Sequence, residues 1–101
     1  MYIYNVTIQV THAIHERWLQ WMQQIHIPEV MATQCFTNYT MVRLLDIDES
    51  EGVTYAVQYK AASKQDYERY ISHFSPALRQ AGIDAWGNQF IAFRSLMQVV
   101  H

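Results

Sequence analysis

Residues Tyr2 to Val10 alternate without a break. Tyr2, Tyr4, Val6, Ile8 and Val10 share one face, and Ile3, Asn5, Thr7 and Gln9 share the other. A period of two over this length reads as a half-buried strand, with one face against a core and the other meeting a more polar surrounding. The chain is therefore committed to a sheet at its start, and later segments must supply the layer that covers it.

The next segment changes period. At about 100° per residue, Ile14, Trp18, Leu19, Trp21, Met22 and Ile25 fall on one side of a helix, and Glu16, Arg17, Gln20, Gln23 and Gln24 on the other. His26 joins the apolar side. Pro28 lacks an N–H and disfavours helical geometry at Ile27, so the helix should kink or stop there, with Pro28 opening a short new helix. The expected span is from about His12, capped by Thr11, to this break and on towards Thr33.

Two further strands are expected at residues 36–47 and 53–61, joined as a hairpin by the acidic turn Asp46 to Gly52. Ser63 followed by Asp66 marks a helix start. That helix buries Tyr67, Tyr70, Ile71, Phe74, Ala77, Leu78 and Ala81, and Ser75-Pro76 kinks or restarts it. Gly82 and Trp86-Gly87-Asn88 lead to a last strand, Gln89 to Val100.

The order βαββαβ predicts a single α+β domain over residues 1–101, a ferredoxin-like sandwich with an antiparallel sheet and both helices on one face. Val6, Ile8, Val42, Leu44, Val57, Ile91, Phe93 and Val99 are expected on the helix side. Asn5, Thr7, Gln9, Arg43, Gln58 and Arg94 are expected opposite, among Ile3, Tyr39, Met41 and Leu96. That face is too polar for a core and too bulky for open solvent, which points to a homodimer joined through it.

Half of the residues are hydrophobic and 16% are charged, a globular composition. A net charge of −2 leaves no basic surplus for phosphates and argues against nucleic acid as a partner. No stretch is long and apolar enough for a membrane span, and the lone Cys35 fits a reducing cytoplasm. His12-x-x-His15-Glu16 is too sparse for a metal site. Asp46 to Val57 lacks the Gly and Glu of a calcium loop. No cofactor motif is present.

Two constellations remain as candidates. His26 with Glu29 has the makings of a general base and its orienting carboxylate, against the plainer role of closing a helix break. Arg43 and Arg94, with Asn5 and Gln58, offer a site for a small anionic or amphiphilic ligand, against the alternative of ion pairs across a dimer interface.

Several segments together resemble a known family. Ile3-Tyr-Asn-Val-Thr, Trp18-Leu-x-Trp-Met, His26-Ile-Pro-Glu-Val, Cys35-Phe-Thr, Arg43-Leu-Leu, Thr54-Tyr-x-Val-Gln-Tyr59 and Phe90-x-Ala-Phe-Arg94 are similar to short bacterial proteins catalogued as domain of unknown function 4286. Gln34 stands where that family usually has Gly. The resemblance implies a ferredoxin-like fold of the dimeric α/β-barrel kind, whose paired sheets often enclose a cavity, and it implies no activity. Gly52 to Tyr59 also resembles the third strand of an RNA-recognition domain, but exposing its tyrosines would send Asn5, Thr7 and Gln9 into the core. The reading is a homodimeric small-molecule-binding domain of unknown function. A cofactor-independent monooxygenase or isomerase using His26, or a structural or interaction module, are the alternatives.

Overall fold

The computed structural model describes Met1–His101. Strands β1 (Tyr2–Val10), β2 (Asn38–Arg43), β3 (Val53–Ala61) and β4 (Phe90–Gln98) form one sheet in the order β2-β3-β1-β4. Every neighbouring pair is antiparallel. The ferredoxin-like α+β arrangement is thus present, with α1 (His15–Trp21), a π-helical segment (Met22–His26), α2 (Ile27–Ala32), α3 (Lys64–His73) and α4 (Ser75–Trp86) as the other layer.

Register decides which side chains share a face, because residues directly opposite each other point the same way. One row runs Tyr39, Tyr59, Tyr4, Leu96, and the next on that face runs Met41, Val57, Val6, Arg94. Tyr4, Ile8, Val10, Tyr55, Val57 and Tyr59 on this face are buried in the core. Between those rows, on the other face, lies the all-polar row Thr40, Gln58, Asn5, Ser95. The flanking row there is Val42, Ala56, Thr7, Phe93.

The central strands follow the expected faces and the edge strands do not. Val6, Ile8 and Val57 face the helices. Val42, Ile91 and Phe93 were expected there too, but they lie on the open face, 43%, 56% and 68% exposed. Arg43, Arg94, Tyr39, Met41 and Leu96 take the helix-facing positions instead. Leu44 and Val99 fall beyond the strand ends. Both edge strands carry apolar residues at odd and even positions, so periodicity alone could not choose. Pairing with the strictly alternating β1 and β3 did.

The helix layer departs from expectation at one place. From His15 to Ala32 the backbone stays helical through Pro28, and the break is absorbed by the π segment, in which the Ile27 N–H donates to the Met22 carbonyl. A π turn inserts one residue and rotates the next turns of helix by roughly 100°. Ile25, expected in the apolar stripe, is therefore 47% exposed, while Ile27 and Val30 are buried beside Trp18, Ile14 and Met22. Thr11 does not cap this helix. Its hydroxyl donates to Gln89, and Ile14 occupies the cap position without a side-chain bond.

The second helical pair starts and breaks where expected, although Ala77 of its expected buried stripe is exposed. The Ser63 hydroxyl accepts from the Asp66 N–H at 3.1 Å, and Ser75-Pro76 restarts the helix after Phe74. The new helix continues past Gly82 to Trp86 and ends at Gly87, whose φ of 61° suits glycine. Gln34 adopts a left-handed turn, φ 61°, although it carries a side chain. Gly52 packs so closely that a Cβ there would collide with the Val10 carbonyl.

Candidate functional site

A partly open cavity of about 60 Å³ lies between the helix-facing side of the sheet and the helices. Tyr4, Val6 and Ile8 of β1, Val57 and Tyr59 of β3, and Ala92 of β4 supply the sheet side. Trp18, Trp21, Met22 and Tyr70 contribute from the helices, with Leu78, Gly82 and Trp86 a turn apart along α4. Gly82 brings the α4 backbone close without crowding: a Cβ there would meet only Phe90 and Trp21 ring atoms, at 3.8 and 3.9 Å. Two exposed arginines, Arg79 of α4 and Arg94 of β4, line its open side.

The π turn sets His26 one turn beyond Trp21, at the wall of this cavity. Its ring stacks on Trp21 at 4.8 Å and 18°, and Trp86 meets Trp21 edge-on at 6.0 Å. Burial first, and then the Arg94 guanidinium, lower its pKa to about 4, so the imidazole is neutral at pH 7. Its Nδ1 is buried with no hydrogen-bond partner in the chain, and so is the Trp86 Nε1. Buried polar atoms are rarely left unpaired. Two of the three such side-chain atoms in this protein belong to residues lining one cavity.

The tyrosines are held protonated. Burial, and then the neighbouring Tyr70, Tyr4 and Tyr39, push Tyr59 far above the ordinary phenol value. Burial and Tyr4 raise Tyr70, against an opposing pull from Arg79 and Arg94. At neutral pH both are hydrogen-bonding hydroxyls, not bases.

Of the residues singled out in the sequence, His26 and Arg94 meet at this cavity. Glu29 does not join them. Being exposed, it lines a shallow groove with Thr33, His73 and Phe74, and the His26–Glu29 pair does not form. Arg43 lies on the opposite edge strand and pairs with Glu49 at 3.1 Å. Asn5 and Gln58 stand side by side on the open face, where the Asn5 amide donates to Thr7 at 3.0 Å. His12 bonds the Glu49 carbonyl and His15 the Tyr55 hydroxyl, so neither faces the cavity. The cavity itself sits inside one protomer on the helix side, not between paired sheets as expected. Arg79, Tyr70, Gly82 and Trp86 went unassigned in the sequence. For Gly82 and Trp86 the signal was their spacing with Leu78, a helix face with a missing side chain at its centre.

Residues 1–100 match the family described as a domain of unknown function, DUF4286. The chain belongs to that family. No curated protein matches it. Solved structures do. A dimeric ferredoxin-like protein from an uncultured marine organism aligns with a TM-score of 0.76 at 11% identity, over 99% of this chain and 95% of its own. The cofactor-independent oxygenase SnoaB from Streptomyces nogalater aligns at 0.64 and 10% identity, over 99% and 94%. A monooxygenase from Streptomyces coelicolor, in complex with nanaomycin D, aligns at 0.58 and 10%, over 99% and 89%. At such identities the likeness establishes a shared fold for this DUF4286 chain and leaves its function open.

Proposed function

We propose that this DUF4286 protein is a homodimer that binds a small amphiphilic molecule, one in each protomer, between its sheet and its helices. The observation that carries this reading is the pairing of an aromatic-walled cavity with two buried, unpartnered polar atoms, His26 Nδ1 and Trp86 Nε1. A ligand would lay its apolar part against the tryptophans and place a polar end towards the open side. Dimerisation is supported by the exposed Val42, Ile91 and Phe93 on the other face of the sheet, and by the dimeric state of the marine relative in fold. Cys35, buried and without a disulfide partner, fits a reducing cytoplasm.

The relatives in fold that are oxygenases raise a catalytic reading, but the residues offer little for it. An imidazole with a pKa near 4 and phenols held protonated are poor acceptors for a substrate proton at neutral pH. Binding is the better-supported use of this pocket.

The test is a fragment screen by ligand-observed NMR on the wild type and on Gly82→Leu, which fills the cavity from α4. Fragments that bind the wild type should lose binding in the variant while its mass in solution stays unchanged. Equal binding to both proteins would place the site elsewhere, and a screen without binders would end the reading.

A further inference from the structure

The charge around the cavity runs against the charge of the whole chain. The protein carries nine Asp and Glu against seven Lys and Arg. None of the nine acids lines the cavity, while two of the seven cations do. Of the three arginines elsewhere, Arg43 pairs with Glu49 and Arg69 with Asp66, while Arg17 is unpaired and does not line the cavity. Arg79 and Arg94 have no ion pair and no side-chain hydrogen bond. They come from different elements, the first two turns of α4 and the middle of β4, so converging on one opening is a property of the fold and not of local sequence.

The position of Arg94 is the more telling. It ends the helix-facing row Met41, Val57, Val6, whose other members are apolar. Alternation therefore turns its side chain towards the helix layer instead of the open face. An unpaired cation set there beside Trp86 and His26 gains nothing for the fold, because like charge nearby only makes the imidazole harder to protonate.

We propose that the pocket selects a small monocarboxylate with a short apolar tail, its carboxylate held between Arg79 and Arg94. This rests on the pocket being a binding site. The cavity volume of about 60 Å³ is well below the roughly 150 Å³ that takes a benzene ring, so the part of the tail held inside is a few carbons long. Guanidinium groups bind a carboxylate through charge-assisted, often bidentate bonds, and neither a neutral amide nor an ammonium can replace it. His26, neutral, and Trp86 line the same cavity, and no carboxylate lines it to repel a small acid.

The experiment uses three probes of one shape and different charge: 3-methylbutanoate, 3-methylbutanamide and 3-methylbutylammonium. All three tryptophans line the cavity, so their emission reports its occupancy directly. The acid should bind about tenfold or more tightly than the amide, with the ammonium weakest. In the double variant Arg79→Gln, Arg94→Gln the acid should fall to the level of the amide, and the amide should bind as it does to the wild type. An amide that binds as tightly as the acid, yet is displaced by Gly82→Leu, would overturn the carboxylate assignment and leave the pocket standing. Retention of the acid's advantage in the double variant would likewise overturn it. If no probe saturates at millimolar concentration, both the assignment and the binding reading fall. Circular dichroism on the double variant separates lost recognition from lost folding, since two exposed arginines without partners should leave the spectrum unchanged.

Discussion

The two faces of the sheet are built from the same four strands and differ in almost every physical respect. The helix-facing side is aromatic and closed. Tyr4, Phe36, Tyr59 and Tyr70 pack with ring separations between 4.9 and 6.2 Å, and Trp18 is 2% exposed. The open side sets an all-polar row beside rows ending in exposed Val42, Phe93 and Ile91. Apart from Ile3 on β1, its large apolar residues lie at the two edges, and small or polar ones occupy the middle. A core needs continuous apolar contact, whereas an interface between subunits tolerates polar groups that find partners across it. The closed face thus makes both the core and the pocket, and the open face is the one through which the proposed dimer would form.

The difference can be probed by substitution. Trp18→Ala on the closed face should cost about 3–5 kcal/mol in denaturant unfolding, from lost burial and the cavity left behind. A change of under about 1 kcal/mol would mean the closed face is not the core.

The second probe is pH. Below 6.5 the unfolded chain takes up a proton at His26 that the folded chain refuses until about pH 4. Stability should therefore fall as pH drops through that window and level off below it, by up to roughly 3 kcal/mol. Unfolding curves at a series of pH values, compared with His26→Phe, isolate this residue from the other histidines. Equal slopes in both proteins would show that His26 is not buried as described.

On the open face, Phe93→Asp should weaken dimerisation by about 2 kcal/mol or more while leaving the protomer's Trp emission unchanged. Sedimentation velocity over a dilution series measures it. A dimer that is undisturbed would move the interface elsewhere. The smallest effect is expected from Arg43→Ala, whose exposed ion pair with Glu49 should contribute within about 0.5 kcal/mol. Ligand affinity should not change with it, since Arg43 is remote from the cavity.

How legible this division was in the sequence depended on the strand. The alternation of β1 and β3 placed Tyr4, Val57 and Asn5 correctly, because each of those strands has one apolar parity. In β4, Ile91 and Phe93 compete with Phe90, Ala92 and Leu96, and the more hydrophobic set was assigned inward. It faces outward because register is set by pairing with β1. The break before Pro28 was visible, but its form was not. A stop and a π turn both satisfy the proline, and only packing of Ile27 and Val30 selects the second. That choice stacked His26 on Trp21 and sent Glu29 into solvent. Arg79 carried no sequence signal, since an exposed helical arginine is ordinary until the pocket it lines with Arg94 of β4 is on view.

The division of labour between the faces is tested most directly by the mass of the wild-type protein in solution. Multi-angle light scattering at micromolar concentration should give twice the chain mass of 11.9 kDa, independent of any ligand. A single species of 11.9 kDa would contradict the account, because Val42, Ile91 and Phe93 would then face water with no partner to cover them.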